Sequence, residues 1–183
     1  MYIQTEETPN PNTLKFVPGV EVYKHGTLIF NKNDDYSTSA LVTKLFNITG
    51  VTSLFFGSDF ISVTKEDQQK WSEIKTHILA DLVDHFISGI PIVEDKKQNT
   101  QELDEKTLSK IEKEILSLID TKIRPAVAQD GGDIVFRKFE NGVVYLEMQG
   151  ACSGCPSSAV TLKQGVENML KHYIPEVESV ESI

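Results

Sequence analysis

The chain has 183 residues, 39% of them hydrophobic, enough for one medium domain or two small ones with a core each. Its formal charge of −9 is shared: 7 Lys+Arg face 11 Asp+Glu over residues 1–88, and 9 face 14 over residues 102–183. Neither half offers the clustered cations that nucleic-acid phosphates require, and the apolar runs end well short of the roughly 18 residues of a membrane-crossing helix, so neither nucleic acid nor membrane is an expected partner.

Residues 2–6 and 14–17 read as a hairpin around the turn Thr8-Pro9-Asn10-Pro11-Asn12, stopped by Pro18-Gly19. That turn explains itself by its Pro and Asn content, and a binding loop is the competing reading. A short strand over 27–30 follows. Ser37-Thr38-Ser39 then supplies N-cap oxygens to a helix carrying Leu41, Val42, Leu45 and Phe46. Residues 51–56 and 60–64 form a second hairpin across Gly57-Ser58-Asp59. Trp71, Ile74, Ile78, Leu82 and Phe86 recur at three and four, which predicts a long helix over 67–88 ended by Gly89 and Pro91, with that row in the core. His77 and His85, eight apart on it, are too distant for one metal ion and read as surface or half-buried residues.

Residues 90–101 turn polar and lose periodicity, as a flexible linker does, and as a coil would span roughly 15–20 Å. The expected organisation is therefore a first domain over 1–89, a linker over 90–101 and a second domain over 102–183. Leu108, Ile111, Ile115, Leu118 and Ile119 begin a helix running to about residue 128, with a kink or a second short helix at Arg124-Pro125. Asp130-Gly131-Gly132-Asp133 reads as a turn using positive φ at the glycines, its carboxylates bonding nearby backbone or Arg124 rather than a metal. Strands over 134–139 and 143–148 flank Asn141-Gly142, a strong type I′ signal. After Gly150-Ala151-Cys152-Ser153-Gly154-Cys155-Pro156 comes a helix over 157–171 with Ala159, Leu162, Val166 and Met169 on one face, then a last strand over 177–183. The predicted fold class is α/β and α+β: two small sheets, each packed with helices.

Cys152 and Cys155 are the only cysteines, which fits a reducing compartment better than a disulfide framework. Placed between a strand end and a helix N-terminus, they are expected to have depressed thiol pKa values, as ligation and redox exchange both require. Three chemistries compete, against the plain reading that these are ordinary small, buried residues spaced by chance. An iron–sulfur cluster usually takes four thiolates, so a chain with two must share it with a second copy, a small thiol or a client. Thiol–disulfide exchange uses the same spacing, but the 28 residues after Cys155 are too few to complete a thioredoxin-like fold from that motif. Zinc wants four ligands, and His25, His77, His85 and His172 show no paired spacing, which leaves only a site of four thiolates across a dimer. No nucleophile motif, phosphate-binding glycine loop or paired carboxylates point to an enzyme.

The segments Ile123-Arg-Pro-Ala-Val-Ala-Gln-Asp-Gly-Gly-Asp-Ile134 and Gly150-Ala-Cys-Ser-Gly-Cys-Pro-Ser-Ser158, with Thr8-Pro-Asn-Pro-Asn-Thr-Leu-Lys-Phe-Val-Pro-Gly19 and Phe56-Gly-Ser-Asp-Phe-Ile-Ser-Val-Thr-Lys65 before them, resemble the Nfu family over nearly the whole chain. The resemblance implies a C-terminal α/β domain whose Cys152 and Cys155 bind a [4Fe-4S] cluster, or a [2Fe-2S] form, between two subunits. It also implies transfer of that cluster to apo iron–sulfur clients, upstream assembly factors as partners, and a recognition or regulatory N-terminal domain. Residues 1–7 have neither a secretory-signal nor a transit-peptide layout. The expectation is bacterial cytoplasm, or the mitochondrial matrix for a processed organellar form.

Overall fold

The computed structural model describes residues 1–24, 26–93, 108–153 and 156–183, with the side chains of 156–159 outside the description. The chain divides into two compact units, Met1–Lys96 and Lys97–Ile183, each a small sheet packed with helices. No helix among the described residues is long and apolar enough to cross a membrane.

In the first unit β1 (Gln4–Glu7), β2 (Thr13–Val17), β3 (Leu28–Asn31), β4 (Val51–Phe56) and β5 (Ile61–Lys65) form an antiparallel sheet in the order β1-β2-β5-β4-β3. Pairing of Leu14 with Val63 and Phe16 with Ile61 puts apolar side chains on one face, where they share a core with α1 (Ala40–Asn47) and α2 (Trp71–Ser88). The Ser39 hydroxyl accepts the Val42 N–H at 3.3 Å and so caps α1, and Gly89 at φ +64° ends α2 in the left-handed region. Helix α2 starts four residues later than the spacing predicts. The backbone before it is held in a turn by Glu66 N–H donating to Gly50 carbonyl and Gln69 N–H donating to Glu66 carbonyl.

The inner row of α2 also differs from expectation. Ile74, Ile78, Leu82 and His85 are buried, whereas Trp71 and Phe86 are half-buried at its margin, so His85 is neither a surface nor a half-buried residue. His77 is exposed and His25 lies outside the described residues. Of the linker expected over 90–101, Ile92 and Val93 are buried in the first unit's core, and residues 94–101 lie outside the description.

In the second unit α3 (Lys110–Leu118) opens with a capping box: the Ser109 hydroxyl accepts the Glu112 N–H, and the Glu112 carboxylate accepts the Ser109 N–H. It runs into a π-helical turn, Ile119–Ile123, and then α4 (Arg124–Gln129). The second short helix expected from Arg124 is α4, and what separates it from α3 is a π turn ahead of the proline instead of a kink at it. Its cause lies in the spacing: Ile115, Ile119, Ile123 and Val127, at most 3% exposed, repeat every four residues. On a 3.6-residue helix each such step drifts about 40°. A wider turn, with Arg124 N–H donating to the Ile119 carbonyl, keeps all four on the core.

Strands β6 (Gly132–Glu140) and β7 (Val143–Gly150) form a hairpin across Asn141 and Gly142, at φ +50° and +78° as a type I′ turn demands. Helix α5 (Pro156–Tyr173) returns the chain so that β8 (Ser179–Ser182) pairs parallel to β7, giving the sheet order β6-β7-β8.

Candidate metal centre at the end of strand β7

Strand β7 ends at Gly150, directly opposite Gly132 in the register. Gly131 at φ +80° and Gly150 at φ +64° turn the two chain segments toward each other. The junction is then tied by Ala151 N–H to the Gly131 carbonyl, Gly131 N–H to the Ala128 carbonyl and Ser153 N–H to the Gly150 carbonyl, each 3.1 Å. Of the two glycines expected to use positive φ, only Gly131 does. Gly132 serves close approach instead: a Cβ there would lie 2.5 Å from Cys152 Sγ, 2.6 Å from the Gln149 carbonyl oxygen and 3.0 Å from Cys152 N. The Cys152 sulfur rests on bare backbone.

The flank of this floor is braced by charge. Buried Asp133 accepts its neighbour Ile134's N–H at 2.8 Å and pairs with Arg124 Nε at 3.1 Å, while Arg124 Nη1 donates to Asp120 at 3.0 Å. Asp133 therefore has the backbone-bonding and arginine-pairing role expected of it. The π turn ends where Arg124 begins, linking helix winding to this brace.

Cys152 is 5% exposed and belongs to the apolar core with Val127, Met148 and Val166. Burial, then the Asp130 and Asp133 carboxylates, push its thiol up to about 12. The expected depression is overturned at this residue: Cys152 sits on the strand side of the motif, inside the core, and α5 starts only at Pro156. Cys155, the second expected ligand, lies outside the described residues. Among the described residues, no three His, Cys, Asp or Glu side chains converge as a metal site.

The loop Thr8–Asn12 is a second ordered feature. Thr8 Oγ1 donates within the turn, Asn12 N–H donates to Asn10 Oδ1, and the Trp71 indole N–H donates to the Pro11 carbonyl at 3.1 Å. Lys65, 8% exposed, donates to Asn12 Oδ1 at 2.9 Å beside the Trp71 ring. These bonds account for the loop's shape within the fold.

Residues 3–89 match the model of the scaffold protein Nfu/NifU N-terminal domain, and residues 115–181 match that of the NifU-like domain. The chain is 51% identical over its full length to the "NFU1 iron-sulfur cluster scaffold homolog, mitochondrial" of Drosophila persimilis and equally to that of Drosophila willistoni, spanning 65% and 64% of those proteins. A solved NifU-like protein from Saccharomyces cerevisiae is 26% identical, with a TM-score of 0.49 over 52% of this chain and 87% of that one. With both domains present in this order, the chain belongs to the Nfu family.

Proposed function

We propose that the chain is a scaffold and carrier for an iron–sulfur cluster, which is its cargo and not a resident catalytic group. Cys152 and Cys155 are the protein ligands, two chains share one [4Fe-4S] cluster, and the assembled cluster passes to apo-proteins. The observation that carries this reading is that the chain's two cysteines follow β7 in the sequence of a NifU-like domain, the first of them seated on the Gly132 backbone. Thiolates are the soft ligands such clusters take, and four are usually needed. The donors fit. The neutral thiol of Cys152 must give up its proton on ligation, and iron charge at the sulfur favours that release.

The same placement speaks against thiol–disulfide exchange through Cys152, because an attacking sulfur needs thiolate character and access, and this one is buried and held protonated. The relatives are named as cluster scaffolds and as mitochondrial, which favours a scaffold over an enzyme and the mitochondrial matrix over the bacterial cytoplasm.

The test is serine substitution followed by anaerobic reconstitution. Cys152→Ser and Cys155→Ser chains are each expected to keep the wild-type far-ultraviolet circular dichroism and to lose at least nine-tenths of the bound iron. A variant that keeps a full cluster overturns the ligand assignment.

A further inference from the structure

We infer that the outward face of α5 from Val160 to Asn168 is the surface on which a second copy of this chain docks when the two share a cluster. The inference rests on the scaffold reading above and adds to it the location of the interface.

Three observations converge on this face. Val160 is 66% exposed, a large apolar side chain open to solvent one helical turn, about 6 Å, from the Pro156 that follows the cysteine motif. Gly165 stands mid-helix, where glycine is the costliest residue after proline, and the fold does not ask for it: its φ is not in the left-handed region, and a Cβ there would meet nothing within 4 Å. What a bare position on an open helix face provides is close approach by another backbone. Val160, Thr161, Gln164, Gly165 and Asn168 are all exposed and uncharged, while the charged residues within the same stretch, Lys163 and Glu167, are half-buried. Lys163 pairs with Glu181 at 2.9 Å, and Glu167 pairs with Lys171 at 2.7 Å and accepts the Val180 N–H. An interface core is depleted of charge in just this way.

The occupant is the second copy that the proposed function already calls for. A cluster that usually takes four thiolates, when shared by two copies of a chain with two cysteines, lies on the two-fold axis of the pair. Exposed chain that follows the ligands in sequence is then held near the axis and the partner. The described surface that adjoins the motif on its C-terminal side is the first half of α5.

Full-length chains carrying Val160→Glu, Gly165→Leu or, as a control far along the sequence, Ile87→Glu are reconstituted with iron and sulfide and sized by ultracentrifugation alongside the wild type. Before loading, the two α5 variants are expected to unfold at the wild-type temperature or above, because Val160 is mostly exposed and a Cβ at Gly165 meets nothing within 4 Å. After loading, their dimer fraction is expected to fall at least ten-fold, with Ile87→Glu unchanged. If wild type and all variants load as dimers alike, the α5 face is not the interface and the scaffold reading stands. If the variants dimerise normally but transfer the cluster more slowly to an apo-protein, the face serves clients, and the inference is overturned. If the wild type takes up no cluster, the scaffold reading itself fails and the inference falls with it.

Discussion

A methyl group at position 132 would lie 2.5 Å from the Cys152 sulfur and 2.6 Å from the Gln149 carbonyl oxygen, closer than such atoms approach without displacement. Gly132→Ala is therefore expected to shift the backbone that holds the motif. The expected cost is about 1–3 kcal/mol in stability of the C-terminal unit, as for overpacking elsewhere, together with loss of cluster uptake. Urea unfolding of the cluster-free chain and iron content after reconstitution measure the two effects, and a variant unchanged in both would show that the sulfur does not rest on this backbone. The residue was visible in the sequence as one of a glycine pair, but the pair suggested a turn. A glycine at a strand's start that opposes a functional motif marks close approach, and only the β6–β7 register reveals the opposition. Arg124 was legible as a partner for one of the two aspartates of the turn, and the fold selects Asp133. The raised thiol of Cys152 was not, since burial is a property of the assembled core.

Elements whose cause is local were readable from the chain. Asn141-Gly142 set the β6–β7 hairpin and Ser39 the start of α1 because turn type and cap depend on residues within four positions. The parallel partner of β8 and the order β1-β2-β5-β4-β3 were not, because they depend on crossovers between distant segments. The π turn stands between these cases: the sequence holds the four-residue repeat from Ile115 to Val127, but Pro125 within it predicts a break at the proline instead. Helix α2 carries a consequence of its own. Its docked row includes His85, where burial, then the nearby Lys44, lower the imidazole pKa below its ordinary 6.5. The unfolded chain takes up this proton first as pH falls, so the stability that depends on neutral His85 is complete above pH 6.5. It is lost as pH drops through the window between 6.5 and the lowered native value. Trp71, the single tryptophan, reports on this unit. Its fluorescence should show a urea midpoint that declines between pH 7.5 and 5.5, less steeply in His85→Leu, and equal slopes in the two proteins would contradict the docking of His85.

At the scale of the whole chain, two units with separate cores divide the labour that the scaffold reading requires. The C-terminal unit holds Cys152 just past the end of β7, and the N-terminal unit supplies a second folded surface on the same chain. Net charge of −9 shared by both units disfavours binding to polyanions. The central claim is that two chains complete one cluster. Anaerobic reconstitution of the full chain with iron, sulfide and reductant, followed by metal and sulfide analysis and sizing, tests it most directly. About two irons and two sulfides per chain, in a particle of twice the mass of one chain, are expected. No uptake, or a monomer holding about four irons by itself, would contradict it.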